Sequence, residues 1–244
     1  MMREASPQTP SALTFSLLGV FLLTLTGCIE VEQTLILNSD GSGTIHMVYG
    51  VSEQGTAQMQ ELARSMQEAG GSDAEPMSLD FNDDDIRNDF KEYAPYGVAL
   101  ESVKTESRDG WKYRTLVITF RDLQGLAESG FLSDQAISLV KDGDGNYIFT
   151  QSSSSNGESM LPAGEMDPFT AKLMKGFRAV LRVRPPTRIL RTNAQQKNER
   201  EAAWVFDLNE DSMALKNMQG ATMQVVFDGK GVNIAEFRSG KMVH

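Results

Sequence analysis

The sequence holds one cysteine, Cys28, and two histidines, His46 and His244, in 244 residues. One thiol excludes an intrachain disulfide, and two histidines leave no material for a histidine-rich metal site. Positive charge is also scarce: 23 Lys and Arg face 33 Asp and Glu, for a net charge of −10. That balance argues against nucleic acid as a partner, because a phosphate backbone needs clustered Lys and Arg. The chain has no G-x-S-x-G elbow, no H-E-x-x-H pair, no Walker loop and no G-x-G-x-x-G after a strand. We therefore expect a non-enzymatic protein without a cofactor. What is present is ordinary for a globular chain and too apolar for a disordered one, with 40% hydrophobic and 23% charged residues.

The N-terminus carries the strongest signal. Residues 1–12 are mostly polar, with Arg3 beside Glu4, and Leu13–Thr26 (LTFSLLGVFLLTLT) is a largely apolar run of 14 residues. That is short of the ~20 residues needed to span a bilayer, but it suits the h-region of a secretory signal. It ends in Leu25-Thr26-Gly27-Cys28, which resembles the lipobox of bacterial lipoproteins: aliphatic, small, small, Cys. The resemblance implies diacylglycerol (palmitate-type acyl chains) on the Cys28 thiol, cleavage between Gly27 and Cys28, and acylation of the new N-terminus. Three acyl chains at ~0.8 kcal/mol per buried CH₂ would hold far more firmly than one. The residue after the cysteine is Ile29 rather than Asp. In a bacterium with two membranes that choice resembles lipoproteins sent to the outer membrane, facing the periplasm. Arg3 and Glu4 cancel, so the mature chain keeps the full −10. Its length can bury roughly 70–75% of its unfolded surface and support one sizeable core.

Structure is expected to begin directly after the cysteine. Ile29–Asn38 alternates as a strand, Ser39-Asp40-Gly41-Ser42-Gly43 supplies a turn, and Thr44–Val51 returns as its hairpin partner. Glu53–Ala69 reads as a helix with Met59, Leu62, Ala63 and Met66 on its apolar stripe and Gly70-Gly71 beyond it. Asn82 is positioned to cap a second helix with Asp83, Asp84 and Asp85 in its first turn. Hairpins are predicted over 98–107 and 111–121, and over 136–141 and 146–151, with a short helix at 123–129 between them. Gln151–Ser159 (QSSSSNGES) reads as a polar loop. A third helix then starts at Asp167-Pro168, with Phe169, Leu173, Met174 and Phe177 on one face. Strands are predicted at 179–184, 202–208 and 221–227, with a short helix at 212–218. The fold class expected is α+β, a mainly antiparallel sheet built from hairpins with about three amphipathic helices. Residues 29–228 should form one domain, and 229–244 a last strand or a mobile tail.

Three features invite chemistry. Asp142-Gly143-Asp144-Gly145-Asn146 matches the start of a calcium loop, but Tyr147 stands where that loop needs Gly and Ser153 where it needs Glu. A hairpin turn explains it without metal. The Met and Phe side chains, including Phe90, Phe169, Met174 and Phe177, read as core; the other reading is a pliable cavity for an acyl chain. The most informative stretch is Ala171–Arg191, with Lys172, Lys175, Arg178, Arg182, Arg184, Arg188 and Arg191 and no acid. Its five arginines form the candidate face for an anionic ligand or the membrane, with Arg178, Arg182 and Arg184 on one side of a strand. The alternative is a solvated face balanced by neighbours such as Glu199, Glu201 and Asp207.

With Cys28, the first hairpin and the Asp40-Gly41-Ser42-Gly43 turn, the chain resembles the LppM-type family of bacterial lipoproteins. Pro186-Thr187-Arg188-Ile189-Leu190-Arg191-Thr192-Asn193-Ala194 and Ala203-Trp204-Val205-Phe206-Asp207-Leu208 extend the likeness. It implies an α+β envelope domain and brings no catalytic residues. The expectation is a lipid-anchored interaction module at the membrane surface, meeting an envelope lipid, glycan or protein. A carrier with an internal lipid cavity and an envelope hydrolase are the alternatives.

Overall fold

The computed structural model describes residues 29–68, 83–133, 135–153 and 174–238. Gly27, Cys28, the helix predicted to start at Asp167-Pro168 up to Leu173, and His244 lie outside the described residues, as do the Met59, Leu62, Ala63 and Met66 side chains. Among the described residues no helix is long and apolar enough to cross a membrane.

The architecture is α+β, as the alternation of short strands and amphipathic segments predicts. Strand β1 (Ile29–Leu37) and β2 (Gly43–Ser52) form the first hairpin, with Leu35 opposite Ile45. Its turn closes because Asp40 Oδ1 accepts from the Ser42 amide at 3.0 Å and the Ser42 hydroxyl at 2.7 Å. Gly41 supplies the left-handed residue there (φ 91°). Helix α1 (Glu53–Glu68) follows β2 directly, and α2 (Asp83–Asp89) opens with the acids that complement its dipole. A 3₁₀ segment (Phe90–Tyr96) leads into the hairpin of β3 (Val98–Arg108) and β4 (Trp111–Phe120). Helix α3 (Leu123–Glu128) is capped by Asp122, whose carboxylate accepts from the Gly125 amide at 2.6 Å. Next come β5 (Gln135–Lys141), β6 (Tyr147–Ser153), β7 (Arg178–Arg184), β8 (Ile189–Thr192), β9 (Gln196–Lys197) and β10 (Ala202–Asp207). Helix α4 (Ala214–Gln219), β11 (Thr222–Phe227) and β12 (Phe237–Arg238) complete the chain.

Two sheets form where the sequence suggested one. The larger has the order β3-β4-β2-β1-β7-β10-β9 and the smaller β12-β5-β6-β11-β8. All pairings are antiparallel except β1 with β7, whose strands run parallel and place Glu30 beside Arg178 and Ile36 beside Arg184. The second sheet begins with the β5–β6 hairpin; after β7, Pro185-Pro186 ends the strand, because proline cannot donate to the ladder, and the chain crosses over to form β8. It then returns to the larger sheet as β9 and β10, and β11 and β12 rejoin the smaller one.

The buried faces meet in one apolar cluster. Leu35, Ile45, Ile118 and Val98 come from the larger sheet, and Ile137, Leu139, Phe149 and Phe227 from the smaller. Tyr147 stacks on Phe227 at 5.5 Å, and Tyr93 meets Phe90 and Phe131 edge to face in a three-ring cluster against the core. Met174 and Phe177, read as one face of a third helix, are buried here, but Met174 to Gly176 form a turn. Residues 229–238 belong to the domain: Val232 and Ile234 are buried and β12 pairs with β5.

Candidate functional site

Alternation along β7 puts Arg178, Val180, Arg182 and Arg184 on the outer face of the larger sheet, with Ala179, Leu181 and Val183 facing the core. The grouping of Arg178, Arg182 and Arg184 on one face is therefore a consequence of period two. The parallel register then spreads that group lengthwise. Arg178 lies beside Glu30, near the start of β1, whereas Arg184 lies six residues along, about 20 Å away at strand rise. Arg191 sits on β8 of the other sheet, and Arg188 just before it. The five arginines are not one face.

Each described member of the outer row also meets an acid. Glu32 accepts from Arg182 Nη1 at 2.8 Å and lies 3.5 Å from Arg178 Nη1, while Asp207 lies 3.6 Å from Arg178 Nε. Arg184 Nε donates to Glu201 at 2.6 Å, and Arg188 Nε lies 3.5 Å from Asp228. The partners come from the neighbouring strands: β1 supplies Glu32, and β10 with its approach supplies Asp207 and Glu201. Sequence reading named Glu201 and Asp207 as balancing acids. Glu32 escaped it because a parallel contact across 146 residues leaves no local signal. Val180, between the arginines, is buried beneath this network. A row whose charges are matched at 2.6–3.6 Å presents little uncompensated field to an anion.

The calcium-like loop is a hairpin turn. Asp142 Oδ1 accepts from the Asp144 amide at 3.0 Å and the Asn146 amide at 2.9 Å, and its Oδ2 accepts from Asn146 Nδ2 at 3.2 Å. The carboxylate is thereby spent on backbone. Burial works to raise the Asp142 pKa, but hydrogen bonds from Asn146 and Asp144 prevail and hold it below the ordinary value. The other described carboxylates with a resolved shift, Asp40, Glu106 and Asp122, are likewise lowered, each by hydrogen bonds to turn, strand or cap neighbours. Depressed values keep these groups ionised; a general acid at neutral pH needs the opposite.

Two open clefts mark the far end of the first hairpin. One, about 490 Å³, is lined by Asp40, Tyr96, Arg121, Asp122, Glu128 and Ile234 among others. The second, about 540 Å³, lies between the Asn38–Asp40 turn and Arg184, Pro185, Pro186 and Arg200. Their walls mix charged side chains with apolar ones, Leu123 and Ile234 in the first and Leu37 and Pro186 in the second. Phe90, Met174 and Phe177 are packed in the core, as their first reading has it.

A second cluster on the outer face was not singled out by sequence reading. Trp111 and Tyr113 share one side of β4 and stack at 5.9 Å with 18° between their planes. The Arg108 guanidinium lies 4.4 Å from the centre of the Tyr113 ring. Both rings lie over Gly50, where a Cβ would stand 2.6 Å from Tyr113 Cε1 and 3.4 Å from Trp111 Cε3. The Tyr113 hydroxyl is 3.5 Å from Glu30, and burial, then the Glu30 charge, push its pKa up. The available signal was an aromatic pair at i, i+2 flanking a tight Arg108-Asp109-Gly110 turn.

The segments that carry the family resemblance meet at a joint between the sheets. Asn193 Oδ1 accepts from the Trp204 indole at 3.2 Å and the Gln224 amide at 2.9 Å, while its Nδ2 donates to the Thr222 carbonyl at 2.6 Å. No family model matches the chain, and no curated protein matches it. Among solved structures, the folded domain of LppM from Mycobacterium tuberculosis is similar at 13% identity. The match covers 85% of this chain and 95% of that one, with a TM-score of 0.41. This is a weak likeness of fold.

Proposed function

We propose that the protein is a lipid-anchored envelope lipoprotein whose domain acts as a non-enzymatic interaction module at the membrane surface. The observation that carries the reading is the position of Cys28. It is the only cysteine, it ends an apolar run with small residues before it, and it directly precedes the first residue of β1. A lipid on that thiol would leave no spacer, holding the domain within about one residue, ~3.8 Å of chain, of its anchor. Attachment of that kind suits a protein that works on its own membrane or on a partner beside it.

Expression of the full chain in a diderm bacterium, with fractionation and intact mass analysis, tests it. The wild type should sediment with membranes and carry acyl mass on a chain beginning at Cys28, and Cys28→Ser should be released. A wild type without acyl mass, or a Cys28→Ser variant held as firmly as the parent, would overturn the anchor.

A further inference from the structure

We infer that the Trp111, Tyr113 and Arg108 cluster is the part of the domain that seats in the phospholipid headgroup layer. This rests on the anchor proposed for Cys28. Four facts of register bring the cluster to the anchored end of the sheet. Ile29 opens β1 opposite Val51, Val51 pairs with Lys112, Ser52 with Trp111, and Trp111 with Arg108. Trp111 thus lies two strands from β1, about 10 Å at normal strand spacing, and one residue beyond the row of Ile29. The membrane surface reached through Cys28 must pass close to this rim.

The chemistry at the rim fits that surface. Trp and Tyr concentrate at membrane interfaces because an apolar ring and a polar N–H or O–H are both satisfied at headgroup depth. Trp111 is the partly exposed tryptophan of the chain; the other, Trp204, is buried and committed to Asn193. Arg108 is 61% exposed in its side chain while resting on the Tyr113 ring, so its guanidinium can reach a phosphate with its stem along the aromatic surface.

The tip is held in place rather than left loose. Asp109 (φ 52°) and Gly110 (φ 75°) make the two-residue turn between β3 and β4, and the Gly110 carbonyl accepts from the Glu53 amide at 2.9 Å. Acids also stand at the rim: Glu106 lies 3.6 Å from Arg108, and Asp109 and Glu53 are exposed. The contact is therefore with the interface itself and does not call for anionic lipid.

The test uses the full lipidated chain reconstituted into phosphatidylcholine vesicles carrying a nitroxide either near the headgroup or at the acyl-chain end. Flotation and intact mass report the anchor, and tryptophan fluorescence reports the rim. Trp111→Phe keeps the stack and isolates the Trp204 signal. Expected are a blue shift relative to detergent, loss of most Trp111 emission with the shallow label, less loss with the deep one, and little change with salt. Floating, acylated protein with no quenching beyond that of Trp111→Phe would overturn the rim contact and leave the anchor intact. Protein that neither floats nor carries acyl mass would overturn the anchor, and the rim contact with it.

Discussion

The hydroxyl of Tyr147 closes on both backbone polar groups of Ile234: it accepts from the Ile234 amide at 3.0 Å and donates to the Ile234 carbonyl at 3.0 Å. Tyr147 is fully buried and Ile234 nearly so. A side chain from β6 thereby takes the place of a ladder strand for an irregular segment, satisfying a buried N–H and a buried C=O. This clamp holds residues 229–238 on the domain.

Tyr147→Phe removes both bonds and keeps the ring in its stack on Phe227. Two buried backbone groups are orphaned, so we expect a loss of about 2–3 kcal/mol. Urea denaturation would read the loss, and hydrogen exchange should show the Ile234 amide losing protection first. An unchanged midpoint would mean that water enters and replaces the hydroxyl, and the clamp would not be what orders the segment.

The outer-face network predicts coupling between Glu32 and Arg182, which meet at 2.8 Å with side chains 39% and 23% exposed. A double-mutant cycle with Glu32→Gln and Arg182→Gln should give about 1 kcal/mol at low salt, falling as salt screens the pair. Charge reversal of Arg178, Arg182 and Arg184 should then cost stability before it changes any binding to anionic vesicles. A stable triple variant that loses vesicle binding would instead make these arginines a ligand face.

Most of this fold is legible because its signals are local. The first hairpin follows from alternation around Asp40-Gly41, the start of α2 from Asp83, Asp84 and Asp85 in its first turn, and the end of β7 from Pro185-Pro186. What stayed hidden depends on distant pairing. Nothing around Glu32 announces a parallel neighbour at Arg178, and four residues of β8 or two of β9 carry too little pattern to separate from loop. The candidate site suffered most. Clustering of arginines along the chain was visible, but charge neutralisation is a property of neighbouring strands. The aromatic rim was readable only once register put Trp111 two strands from the start of β1.

Acid should weaken the domain, with Asp122 one of the groups responsible. The Gly125 amide holds its pKa below the ordinary value, burial opposes this, and Arg121 at 3.0 Å adds to it. A depressed carboxylate contributes stability above its unfolded pKa, ~3.9, and loses it as pH falls through the folded value. Asp122→Ala should cost about 1 kcal/mol at pH 7 and much less near pH 2. Asp122→Asn keeps an acceptor but not the charge, so at pH 7 it should fall between the wild type and Asp122→Ala and lose the acid dependence; solvent keeps the charge's share small, because the carboxylate is 42% exposed. Equal losses for Ala at both pH values would show that the cap acts through shape alone.

Gly43 and Gly50 lie on the same strand and should respond differently to a methyl group. At Gly43 a Cβ would collide with the Ile36 carbonyl oxygen and the Phe120 ring, and a β1 backbone atom in the middle of the sheet cannot retreat. Gly43→Ala is expected to cost about 3 kcal/mol or more. At Gly50 the obstacle is the Tyr113 ring edge at 2.6 Å, with Trp111 behind it, and side chains on a solvent-facing sheet can tip outward. Gly50→Ala should therefore cost only about 1–2 kcal/mol, while near-UV circular dichroism and Trp111 emission report a broken stack. The same variant bears on the membrane: lifting Trp111 from its seat should change its quenching by shallow nitroxide lipid while acylation and flotation stay as before. If Gly50→Ala leaves both spectrum and quenching unchanged, the rings do not rest on Gly50, and the stack has a freedom that a fixed headgroup contact would not allow.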